Sequence, residues 1–119
     1  MTVTINDVRL KLNNLSDDLV TDGVIQLHID KATAYVNAIK NDDADETYVD
    51  NAILAKAALD TYMSYAMEIE RATGTLPHSY PEQVDNLREE FQRWLRLITD
   101  EYQSKNAVVA IEPCSELDY

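Results

Sequence analysis

At 119 residues and 13.5 kDa the chain has room for one domain with one core. Apolar residues make up 45% and charged residues 27%, the balance of a soluble globular protein, which excludes the disordered and membrane classes. Ten Lys and Arg stand against 22 Asp and Glu, and the resulting charge of −12 opposes the counterion release that drives binding to a nucleic-acid backbone.

The amino terminus lacks a basic-then-apolar leader, and no apolar run approaches the roughly 18 residues of a spanning helix, so the chain reads as soluble and intracellular. Cys114 is the only cysteine. It has no disulfide partner and no zinc-ligand spacing around it.

Two glycines and three prolines place the breaks, and long helices are expected between them. Thr4 and Asp7 form a capping signal ahead of Val8 and Leu12, which predicts a short helix over 5–13. A polar break at Asn13-Asn14 and Ser16-Asp17-Asp18 follows. Thr21 or Asp22 then caps a second helix to Lys40, with Val24, Ile25, His28, Ala32, Tyr35, Val36 and Ile39 on its apolar face.

After the acidic connection Asn41–Glu46, Thr47 opens a third helix that runs to Ala72 and stops at Gly74. Its apolar stripe, Ala52, Leu54, Ala55, Ala58, Leu59, Tyr62, Met63, Tyr65, Ala66 and Ile69, covers nearly half the circumference. Asp50, Asp60, Ser64, Glu68 and Arg71 fill the rest. A stripe that wide packs on more than one neighbour, so this helix is central, and its alanines permit close approach.

Gly74, Pro77 and Pro81 punctuate an exposed connection. Ser79 caps a fourth helix with Pro81 in its first turn, carrying Val84, Leu87, Phe91, Trp94, Leu95, Ile98 and Tyr102 on one face. Leu97 points away from that face. Helical periodicity ends near Tyr102, and from Lys105 a β-prone run, Val108-Val109-Ala110-Ile111, leads to Pro113 and an acidic end. No other stretch of the chain reads as its companion strand. The fold class is therefore all-α: a small bundle of about four helices over residues 1–104, with an extended C-terminal arm over 105–119.

Residues with reactive side chains do not converge on a site. His28 lies within an apolar helix face, where Asp30 and Lys31 point away from it, so it reads as a core or interface histidine. His78 sits in a proline-containing loop without a second ligand. Asn41, Asp43 and Asp45 match the opening of an EF-hand loop, but Glu46 stands where glycine is needed and Ala52 where a bidentate glutamate is needed.

Ser64 and Ser79 lack a nucleophile-elbow context, and no Gly-rich phosphate loop or His-Glu-x-x-His occurs. Glu68 with Glu70, and Glu89 with Glu90, are not spaced to share a helix face. The seven tyrosines lack interleaved basic residues, and Tyr35, Tyr62, Tyr65 and Tyr102 fit packing positions. No catalytic, cofactor-binding or metal-binding residue is assigned, and no enzyme activity or cofactor is expected.

Three features ask for a partner: Leu97 on a polar face, the wide stripe of the third helix, and the apolar run near the end. Leu97 is a candidate subunit-interface residue. Val108, Val109, Ala110 and Ile111 form a candidate assembly arm that a neighbouring subunit would complete by strand addition; the other reading is an unattached chain end.

The residues Val8-Arg9-Leu10-x-Leu12, then Asp17-Asp18, then Ile29-Asp30-x-Ala32-x-x-Tyr35-Val36, then Ala55-x-Ala57-Ala58-x-x-x-Tyr62 resemble the head-to-tail connector, or adaptor, proteins of long-tailed bacteriophages and related viruses. The resemblance covers about residues 4–72 in pattern and the whole chain in length and helix order. The third helix lacks the proline often found at its start in that family, and the segment after Lys105 matches no family motif.

The resemblance implies a dodecameric ring at the head–tail interface of a virion, made in the host cytoplasm. Such a ring joins a portal protein to a stopper or tail completion protein and lets DNA pass without specific binding. Twelve copies would carry roughly −144 formal charges, and a negative lumen would repel passing phosphates. The acidity is equally compatible with halophily or plain solubility. A different class of function also fits the composition: a small acidic helical binding module, an antidote or DNA-mimic inhibitor that captures a basic protein.

Overall fold

A computed structural model describes residues 3–13 and 19–99. Four helices occur in it: α1 (Ile5–Lys11), α2 (Asp22–Ile39), α3 (Glu46–Thr73) and α4 (Tyr80–Ile98). The expected arm at Val108–Ile111, the boundary at 104/105 and Tyr102 lie outside the described residues.

Local side chains set most of the helix ends. Asp7 donates its backbone N–H to Thr4 Oγ1 at 3.2 Å, and Thr4 donates its own to Asp7 Oδ2 at 2.9 Å, so α1 opens on a complete capping box. Thr21 caps α2 by accepting from the Val24 N–H at 3.3 Å. At α3 the cap is Asp45, not Thr47: the Thr47 N–H donates to Asp45 Oδ1 at 2.8 Å, a charge-assisted bond at the positive end of the helix.

Gly74 ends α3 at φ 87° with its N–H on the Glu70 carbonyl at 2.7 Å. The backbone conformation requires glycine there, since a Cβ would meet nothing within 4 Å. Ser79 occupies the position before α4 but makes no side-chain cap bond, which corrects the expected cap. Pro81 in the first turn and the Gln83 N–H on the Ser79 carbonyl at 2.9 Å start the helix instead.

α3 touches each of the other three helices. Contacts pairing His28 with Ser64 and Tyr35 with Lys56 run α2 antiparallel to it, and those pairing Tyr62 with Tyr80 and Tyr48 with Trp94 do the same for α4. Ala52, Ala55, Ala57, Ala58 and Ala66 are fully buried along α3, so three neighbours approach its backbone closely.

Burial of α3 goes further round than the sequence pattern indicates. Val49, Ile53 and Thr61 are buried too, and Asp50, Asp60 and Ser64, expected on an open face, are half-buried. A helix enclosed on three sides has no wide polar face.

The apolar face of α2 is rotated from the expected one. Ile25, Ile29, Ala32 and Val36 are buried, whereas Val24, Tyr35 and Ile39 remain exposed. The buried face is centred between Ile25 and Val36, and the stripe named from sequence is turned roughly 50° from it, toward the flank that borders α4. Side chains such as Ile25, Ile29 and Val36 each contribute about 1.5 to 3 kcal/mol by leaving water.

The far end of α4 is pinned to the α2–α3 connection. Ile98 is fully buried, the Asn41 N–H donates to its carbonyl at 2.7 Å, and Lys40 and Thr99 form an isolated antiparallel bridge.

Candidate functional site

The flank of α2 that carries His28 and Tyr35 packs on α3 and, at Tyr35, meets Phe91 of α4. Here His28 Nε2 and the Ser64 hydroxyl share a hydrogen bond of 2.9 Å. One turn earlier on α3, Asp60 accepts from Lys56 Nζ at 3.1 Å. That ammonium lies 5.7 Å from the Tyr35 ring centroid and 5.9 Å from that of Phe91, close enough for cation–π attraction to both.

Burial lowers the His28 pKa below 6.5; Asp60 opposes the shift, and Lys31 and Lys56 add to it. The ring is therefore neutral at pH 7. Asp60 faces Lys56 rather than the far nitrogen of the ring, and the backbone N–H groups around Ser64 are spent within α3, so no donors remain there for a developing oxyanion. The arrangement ties α2 to α3. Sequence reading left His28 without a partner because Ser64 meets it only when the helices pair antiparallel.

A second feature lies on the opposite flank of α2. A cavity of about 220 Å³ is lined by Val3, Asn37, Lys40, Glu46 and Asp50 among others. Asp50 Oδ2 is buried there with no hydrogen-bond partner, and its pKa is raised by burial, with the Glu46 carboxylate adding to the effect.

The acidic loop 41–46 is placed by other work than ligation: Asp45 caps α3, and Asn41 is buried against the end of α4 with its side-chain oxygen unpartnered. No group of three or more His, Cys, Asp or Glu able to hold a metal occurs among the described residues. His78 is exposed. Glu90, read as exposed helix charge, is instead half-buried and paired with Lys11 of α1 at 2.8 Å, a long-range contact invisible to helix spacing.

The remaining candidate is the C-terminal half of α4. Leu97 is 39% exposed, and Tyr48, at 40%, packs on Trp94 with ring centroids 5.6 Å apart. Arg93 and Arg96 are exposed beside Leu97 and make no ion pair among the described residues. Arg71 and Arg88, by contrast, pair with Glu68 and Asp85 on their own helices, and Arg9 reaches Asp22. Sequence reading singled out Leu97 and passed over both arginines, whose signal was their position one and four residues from it.

No helix among the described residues is long and apolar enough to cross a membrane. Comparison with known proteins finds no matching family model, no matching curated protein and no matching solved structure.

Proposed function

We propose that the chain is a structural subunit of a viral head-to-tail connector, a ring that joins a portal to a stopper or tail completion protein and lets DNA through. The observation that carries this reading is where the resembling residues lie. Val8, Ile29, Ala32, Val36, Ala55 and Ala57 are buried in the larger core, and Ala58 and Tyr62 in a smaller cluster between α3 and α4. These positions of the pattern are packing positions of the bundle, which supports reading them as a structural signature. Leu10, Asp30 and Tyr35, also in the pattern, are exposed, Tyr35 beside Phe91.

Two further properties support an assembly role. Apolar side chains stay exposed on several elements, among them Leu10, Leu27, Met67 and Leu97, and the charge of −12 suits a wall that DNA must pass without adhering.

The test is electron microscopy of the chain mixed with the portal-type and tail-type proteins encoded beside it. Ring-shaped particles containing the chain support the reading. A stoichiometric one-to-one complex with a basic protein, and no ring, would support the acidic binding module instead. Deleting the residues after Ser104 is expected to abolish ring incorporation while leaving helix content unchanged, the outcome required if Val108–Ile111 form the arm.

A further inference from the structure

Among the described residues Lys31, Lys40, Arg93 and Arg96 make no ion pair, and the two arginines sit together on α4. In a chain of net charge −12, carboxylates outnumber cations about two to one, so an arginine easily finds a partner. Arg93 and Arg96 find none among the described residues, yet they are exposed within one turn of Leu97 and next to the half-buried Trp94. Arginine, tryptophan and an exposed leucine together are the composition of an interface centre, where guanidinium groups wait for planar carboxylates.

The complementary surface lies on the same molecule. Asp42 and Asp43 are exposed at the tip of the α2–α3 loop and make no ion pair among the described residues; Glu46 is exposed beside them. The bridge between Lys40 and Thr99 holds this loop at the same end of the bundle as Arg93, Arg96 and Leu97. One end of the molecule therefore carries a cationic, partly apolar surface on α4 and an anionic surface on a different element.

We propose that these two surfaces meet between copies of the chain, Arg93, Arg96 and Leu97 of one copy docking on the Asp42–Glu46 loop of the next. The contact joins unlike surfaces, and in the head-to-tail arrangement that the connector reading calls for, repetition closes a ring wherever the rotation per copy permits. It rests on the connector reading for its occupant, a second copy, and specifies which surfaces of neighbours touch.

Sedimentation velocity on the full chain and two charge-reversed variants tests it. The first variant carries Arg93→Glu and Arg96→Glu, and the second carries Asp42→Lys and Asp43→Lys. All four positions are exposed, and circular dichroism checks that both variants keep the helical fold. At low salt the unmodified chain should sediment faster as its concentration rises, and 0.5 M salt, about a Debye length of 4 Å, should reverse this.

Each variant alone should stay monomeric, because its two surfaces then share one sign. Mixing them should restore association, since each supplies the charge the other lost. Association that persists in either variant alone, or a mixture that remains monomeric, overturns the contact. An unmodified chain that is monomeric at every concentration overturns it as well, while ring formation on the portal still decides the connector reading separately.

Discussion

The bundle holds two cores of different make. The larger one is aliphatic and joins all four helices through Val8, Ile25, Ile29, Val36, Ile53 and Ile98, with Phe91 as its one fully packed ring. The smaller lies between α3 and the first half of α4, where Leu59, Val84 and Leu87 are lined by Tyr62, Tyr65 and Tyr80. Tyr62 and Tyr80 stack at 5.9 Å with 19° between their planes. The larger core is enclosed and intolerant of lost volume. The smaller sits nearer the surface, where neighbouring side chains can close over a gap.

That contrast sets the order of expected effects. Phe91→Ala should cost about 3 to 5 kcal/mol in a denaturant melt, because it removes the one buried aromatic ring of the larger core. Leu87→Ala, in the smaller core, should lose only about 2 kcal/mol, the low end for leucine, as the rim collapses. Equal losses at the two sites would erase the distinction between the cores.

Thr61→Val should act in the opposite direction. Its hydroxyl is buried on α3 without a hydrogen-bond partner, so replacing it by a methyl should raise stability by about 1 kcal/mol. A loss on that substitution would mean the hydroxyl is bonded in solution.

The smallest effects concern pH. His28 has a pKa below 6.5 when folded, so the unfolded chain takes up the proton first; the stability its neutral ring contributes is present above pH 6.5 and declines as pH falls below it. His28→Gln should flatten the melting midpoint between pH 7.5 and 5.5, roughly the range over which an ordinary histidine charges. Asp50 runs the other way: its raised pKa makes the charged form costly, so Asp50→Asn should melt higher at pH 7 and lose that advantage on acidification toward 3.8. A pH profile unchanged by either substitution would remove these groups from the energetics.

Much of this organisation is legible in the sequence, and the two cores show why some of it is not. Glycine, proline and cap residues act locally, so four helices and nearly all their ends follow from neighbours in the chain. The fourth-helix face, Val84, Leu87, Phe91 and Ile98, is amphipathic enough to be read directly.

α2 is harder. Its exposed Val24, Tyr35 and Ile39 look as buried as Ile29 does, and only the choice of α3 as neighbour fixes which flank turns inward. The bond from His28 to Ser64 and the Lys11–Glu90 pair both depend on which helices pair, information that periodicity does not carry.

The proposed connector role makes this helical unit one of many identical copies. Native mass measurement of the chain mixed with a portal-type protein encoded near it tests that proposal most directly. The account predicts a complex holding a ring's complement of copies per portal assembly, about twelve if the resemblance extends to stoichiometry. A single copy bound to a basic partner, or no binding to the portal at all, would contradict it.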